Sequence, residues 1–126
     1  MARGNLNQIK VKFLKSKKMK KYIKLQENPN GYTHVKIEFF YDKGGEYAIN
    51  SKRGYYVVCY PVTVSTNSTG NIVSESFWCY GGFKSLILEV SRKSKKAEAE
   101  ALQLIEGLQV ELINKVLKKH NLQIAA

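Results

Sequence analysis

Apolar residues in this chain alternate with polar ones through most of the first eighty positions, and the spacing lengthens to that of a helix after Gly81-Gly82. That switch constrains the fold more than any other feature. A two-residue period puts one face of a strand inside and the other outside, whereas i, i+3, i+4 spacing buries one stripe of a helix. Ile9, Val11 and Phe13 alternate with Lys10 and Lys12, and Ile23 and Leu25 alternate with Tyr22, Lys24 and Gln26. The two runs read as a basic N-terminal hairpin or arm over residues 1–27. Asn28-Pro29-Asn30-Gly31 follows as a turn, because proline presets φ and glycine accepts φ > 0. Residues 28–82 read as a four-strand antiparallel meander, with strands at 32–41, 46–50, 55–65 and 72–80. Pro61 inside the third strand marks an edge or a bulge, since proline cannot donate to the ladder.

From Phe83 onward the apolar stripe runs through Leu86, Ile87 and Val90, and then through Ala97, Ala101, Leu104, Ile105, Leu108, Leu112 and Val116. The spacing predicts a C-terminal helix or helices over 83–120. Glu98 and Glu100 come early in it and Lys115, Lys118, Lys119 and His120 late, the order that complements a helix macrodipole. Sheet first and helix last give a single α+β domain, with the helix packed on one face of an antiparallel sheet.

Charge narrows the function. Twenty-one Lys and Arg against ten Asp and Glu leave +11. Residues 1–27 alone carry +8, from Arg3, Lys10, Lys12, Lys15, Lys17, Lys18, Lys20, Lys21 and Lys24 against Glu27. A surplus of this size repels itself, and its usual partner is a polyanion. Nucleic acid is the first choice, an anionic membrane surface the second and an acidic protein the third; the bland alternative is a solvated lysine face. No apolar stretch in residues 1–30 could serve as a signal-peptide core, and no run approaches the ~20 residues of a membrane span. Two cysteines, Cys59 and Cys79, suit a reducing cytoplasm in which buried thiols behave as small hydrophobes. A cytoplasmic location is the expectation.

Catalysis finds little support. The one aspartate, Asp42, precedes Gly44-Gly45 in a turn, and His34 and His120 fall in different elements. Cys59 and Cys79 lack the spacing of a zinc site, and neither Gly pair has the pattern of a phosphate loop. The chain is therefore read as a binding protein, with no catalytic residue, cofactor or metal expected. Single-stranded nucleic acid is held by cations along the backbone and by rings on which bases stack. Lys52-Arg53-Gly54-Tyr55-Tyr56 sets two cations before two rings, and Phe77-Trp78 and Tyr80 follow on the next strand. Tyr56 shares parity with Val58, Tyr60, Val62 and Val64, which places that set in the core and Tyr55 on the opposite, binding face. Trp78 and Tyr80 share parity with Ser74 and Ser76 on the wetter face.

The stretch Lys52-Arg53-Gly54-Tyr55-Tyr56-Val57-Val58 resembles the Arg-Gly-aromatic strand of PUR repeats, and residues 32–110 are similar in layout to PUR and Whirly-type domains. The resemblance implies single-stranded nucleic-acid binding on an open sheet face, dimerisation through helices, and Lys52, Arg53 and Tyr55 as matched binding positions. The resulting expectation is a non-catalytic binder of single-stranded DNA or RNA, of a kind that suits a bacterium or a phage. Lys10 to Lys24 and Lys52-Arg53 would supply charge, and Tyr55, Trp78 and Tyr80 would supply stacking. A homodimer would form through the stripe Ile105, Leu108, Leu112 and Val116. The alternative is a phage-type protein-interaction module, an inhibitor or virion component, docking through its basic face.

Overall fold

The computed structural model describes residues 20–46, 49–76 and 82–125. Among these, five strands come first, β1 (Lys20–Lys24), β2 (His34–Asp42), β3 (Gly54–Thr66), β4 (Ile72–Ser76) and β5 (Phe83–Glu89), followed by the helix α1 (Lys95–His120). The sheet is antiparallel in the order β1-β2-β3-β4, with β5 also pairing to β3. β3 is 13 residues long and serves three neighbours. It pairs with β2 from Gly54 to Val62, with β5 from Gly54 to Cys59, and with β4 from Thr63 to Thr66. Pro61 sits opposite Val35 of β2, in the gap where the pairings of β3 pass from β5 to β4. There its missing N–H leaves no ladder bond unmade.

Cross-strand partners share a face, and this decides which side the helix covers. On β2, Val35, Ile37 and Phe39 alternate with His34, Lys36 and Glu38. The register sets Ile37 opposite Cys59, Phe39 opposite Val57 and Tyr41 opposite Tyr55. Those residues join Ile23, Leu25, Ala101, Ile105, Leu112, Ile113, Val116 and Leu117 in one core beneath α1. Tyr55 therefore lies under the helix and not on a binding face; it is 1 % exposed and stacks on Phe39 with ring centroids 5.5 Å apart. Its hydroxyl donates to the Ser94 carbonyl and accepts from the Ser94 N–H, both at 3.3 Å. Tyr56, Val58 and Val62 are buried too, but on the opposite face. Their parity is as expected; the helix covers the other set, because β2 is polar on the side they share.

Residues 83–89 form a strand rather than the start of a helix. The N-terminal half of β3 is apolar on both faces and needs a hydrogen-bonded neighbour along its second edge, which β5 supplies from Cys59↔Phe83 to Gly54↔Glu89. The helix begins only where the chain offers a cap. The Ser94 side chain accepts from the Ala97 N–H at 3.0 Å, and α1 then runs for 26 residues. Asn121, in the left-handed region at φ 53°, ends it, with the Leu122 N–H returning to the Leu117 carbonyl at 2.8 Å. Leu122 and Ile124 then pack into the core, and the tail pairs with the outer edge of β1 through Leu25↔Ile124.

Ile105, Leu112 and Val116, the stripe expected to make a dimer, are at most 2 % exposed within the single chain, and Leu108 is half-buried. Ile105, Leu112 and Val116 are spent against the chain's own sheet, while Leu108 lies outside that core. Glu46, Ile49 and Asn50 belong to the β2–β3 connection, not to a strand. The expected strand at 9–13, Lys10, Lys12, Lys15, Lys17 and Lys18, and also Trp78 and Tyr80, lie outside the described residues.

Candidate nucleic-acid interface

The face of the sheet turned away from α1 carries Lys20, Tyr22 and Lys24 on β1, opposite Glu38, Lys36 and His34 on β2. The β3–β4 hairpin returns over this face. Its tip is an Asn67 turn, in which the side-chain carbonyl accepts from the Thr69 and Asn71 N–H groups at 3.0 Å each and Gly70 takes φ 86°. Glu75 on β4 pins the hairpin down. Its carboxylate accepts from the Tyr22 hydroxyl and from Lys36 Nζ, the latter at 2.9 Å.

Lys36 is 7 % exposed, with Nζ 5.6 Å from the centre of the Tyr22 ring, 5.7 Å from that of Tyr60 and 3.7 Å from Glu38. Burial alone would favour neutral lysine, but the bonds to Glu75 and Tyr60 outweigh it and hold the ammonium protonated well above the usual range. Burial likewise opposes the charge on Glu75, yet the Tyr22 and Lys36 bonds keep its carboxyl below the ordinary value. Tyr22, half-buried and bonded to that carboxylate, is pushed up to about 12. His34, desolvated and beside Lys24, is lowered, which favours the neutral ring; its Nδ1 lies 2.8 Å from Thr33 Oγ1. Lys36 is thus committed to the fold. Lys20 and Lys24 are exposed.

Between β1 and the hairpin lies a trough. One concavity of about 780 Å³ has Lys20, Lys21 and Tyr22 on one wall and residues 70–75 on the other. A second, of about 760 Å³, continues past Lys24, Tyr32, His34 and Thr66, and Gly70 at the hairpin tip borders both. The first thus has Lys20 and Tyr22 facing Glu75, and the second has Lys24 and Glu27 with His34 and with Tyr32, whose ring packs on the core and lies edge-on to His120 at 5.6 Å. Such a trough suits an extended anionic chain. The structure brings Lys20 and Lys24 to this face, whereas Lys21, opposite Ile37, alternates to the other. Neither Tyr32, His34 nor the hairpin stands out in the sequence as part of a site; the turn signature at Asn67–Gly70 marks a loop, but nothing local shows which face it folds over.

Lys52 and Arg53 lie elsewhere, at the far end of the sheet beyond Asp42. Arg53 Nε donates to the Lys43 carbonyl at 2.8 Å, and Lys52 Nζ is 3.9 Å from Glu89. Asp42 has the turn role its neighbours implied. Fully buried, it accepts from the Gly44 and Glu46 N–H groups at 2.6 and 3.1 Å and from the Ser51 hydroxyl at 2.8 Å. Cys59 is buried in the core, where desolvation pushes its thiol up and disfavours the nucleophilic thiolate. Among the described residues no three His, Cys, Asp or Glu side chains gather as a metal site, and no helix is long and apolar enough to cross a membrane. No family model, curated protein or solved structure matches the chain.

Proposed function

We propose that the protein is a non-catalytic binder of single-stranded nucleic acid, with the strand lying in the trough between β1 and the β3–β4 hairpin. The observation that supports this reading best is the pair of adjoining concavities that meet at Gly70, with exposed Lys20 and Lys24 and ring-bearing side chains among their lining. Lys20 and Lys24 would contact phosphates, and Tyr32 and His34 would offer ring faces or edges to bases. Desolvation and the neighbouring Lys24 favour the uncharged ring of His34, so it would act as a stacking group and not as a cation. The +11 of the whole chain supplies the long-range attraction that any such encounter uses.

The test is a fluorescence-anisotropy titration with a labelled oligothymidylate, for wild type and for the double variant Lys20→Gln/Lys24→Gln. Binding should weaken by about tenfold in the variant, equivalent to ~1.4 kcal/mol. Unchanged affinity would place the strand outside the trough. Stoichiometric capture of one acidic protein, with no oligonucleotide binding at any salt concentration, would favour the interaction-module alternative.

A further inference from the structure

One hydroxyl hydrogen at the start of β2 has two possible acceptors, and its choice fixes the state of a ring that lines the trough. Thr33 is anchored through its backbone. Its N–H donates to the Val62 carbonyl and its carbonyl accepts from the Leu25 N–H, both at 2.9 Å. Its hydroxyl oxygen accepts from the Val64 N–H at 2.8 Å. The hydroxyl hydrogen can then go to His34 Nδ1 at 2.8 Å or to the Val62 carbonyl at 3.5 Å. The longer distance lies outside the range of a good hydroxyl bond, and that carbonyl already holds the Thr33 N–H. The hydrogen therefore goes to Nδ1. A ring nitrogen that accepts carries no hydrogen of its own, so a neutral imidazole must carry its one N–H at Nε2.

The reverse assignment, Nδ1–H donating to Thr33, leaves the hydroxyl hydrogen with the distant carbonyl alone. The imidazolium has the same defect, so the Thr33 network acts in the same direction as the desolvation and the Lys24 charge that lower the ring's pKa. Among the described residues Nε2 has no hydrogen-bond partner, and it is open to solvent. His34 lines the second concavity, and Lys24 stands directly opposite it on β1, exposed on the same face. Lys36, two residues along β2 on that face, is already taken by Glu75. A donor held in place before the ligand arrives loses little freedom on binding. Lys24 beside it draws the most negative acceptors of a strand, its oxygens.

We infer that His34 Nε2–H donates to an oxygen of the nucleotide beside Lys24, from a phosphate or a base keto group, with Thr33 as the residue that positions the ring. The inference rests on the trough reading above. A long-range nitrogen–proton NMR correlation on the full wild-type chain near neutral pH should show Nδ1 bare and Nε2 protonated. Hydrogen on Nδ1 instead would overturn the inference. Thr33→Ser keeps the hydroxyl and should leave the Nδ1 resonance in place, whereas Thr33→Val should move it; an unmoved resonance in Thr33→Val would also overturn it. Anisotropy titrations with oligothymidylate and oligodeoxyadenylate then read the contact. His34→Phe keeps a ring that stacks and removes the N–H, and should weaken oligothymidylate binding by about three- to tenfold, the worth of one hydrogen bond. His34→Gln, which retains a donor, should lose less, and equal melting temperatures would confirm that the variants are folded. A similar loss with both oligonucleotides assigns the acceptor to phosphate; a loss confined to oligothymidylate assigns it to a keto oxygen, which adenine lacks. Full oligothymidylate affinity in His34→Phe, with weakened binding in Lys20→Gln/Lys24→Gln, would leave the ring a stacking group and overturn this inference alone. Wild type that binds neither oligonucleotide overturns the trough reading, and the donor role with it.

Discussion

Gln109 is fully buried in the middle of the stripe that α1 turns inward, and neither its Nε2 nor its Oε1 has a hydrogen-bond partner among the described residues. An amide in that state costs about 1–3 kcal/mol in lost hydration. Leucine has a similar volume and no polar atom to strand. Gln109→Leu is expected to raise stability by ~1–2 kcal/mol, measured as a shift of the urea midpoint at constant m-value; a loss of stability would show that the amide is bonded in the folded protein. Gly54 shows the opposite constraint. A Cβ there would stand 2.4 Å from the Leu88 carbonyl oxygen, so the glycine of the Lys52-Arg53-Gly54-Tyr55-Tyr56 stretch serves the close approach of β5 to β3. Tyr55 and Tyr56 show how far single residues are legible. That the two rings take opposite faces follows from alternation alone. Which face the helix takes does not follow from β3, where every residue from Gly54 to Cys59 is buried. It follows from β2, where Lys36 and Glu38 mark the polar side and the register carries that mark across to Tyr60 and Val58.

The β3–β4 hairpin depends on one ionic knot, and its pH dependence can be read from the shifts. Glu75 has a folded-state pKa below its ordinary 4.5, so its contribution is fully present above 4.5 and is lost as pH falls through the lower, folded value. Tyr22 is raised from 10.0 to about 12: between those values the unfolded chain gives up the proton while the folded one keeps it, and stability declines as pH rises. Lys36, held protonated above its ordinary range, declines with it at the alkaline end. A melting temperature measured against pH should therefore fall on both sides of a plateau. In Glu75→Gln the acid limb should shrink and the plateau should drop, since the substitution leaves Lys36 buried with Glu38 at 3.7 Å as its nearest carboxylate. A variant with the wild-type acid limb would mean that other carboxylates set it. This knot joins β1, β2 and β4, and nothing local in the sequence announces it; Glu75 sits among serines in a mostly exposed strand. The helix, by contrast, is legible through the Ser94 cap and the late basic residues, while 83–90 misleads because Phe83, Leu86, Ile87 and Val90 satisfy a helical spacing by chance. Pairing with β3 overrides it, as tertiary context commonly overrides local preference.

At the scale of the molecule, the charge is concentrated at the N-terminal end of the sequence. Arg3, Lys10, Lys12, Lys15, Lys17 and Lys18 precede Lys20 with no acid among them, and contribute six of the eleven net charges. The remaining five are distributed over a chain that contains all ten acids. Removing residues 1–27 is a poor probe of this charge, because it also deletes Ile23 and Leu25, buried at 4 % and 5 % exposure in the core. Replacing the six early cations with glutamine in the full chain keeps β1 and changes only charge. If they neutralise phosphates, the slope of log affinity against log salt for an oligothymidylate should flatten by ~0.7 for each phosphate left unneutralised, up to about 4 if all six take part. If instead they act only at long range, the association rate should fall while the slope changes by less than the ~0.7 of a single phosphate. Titrations at several salt concentrations, paired with stopped-flow association rates, distinguish the two. An unchanged slope together with an unchanged rate would remove the early cations from the binding mechanism and leave Lys20 and Lys24 to hold the phosphates of the single strand.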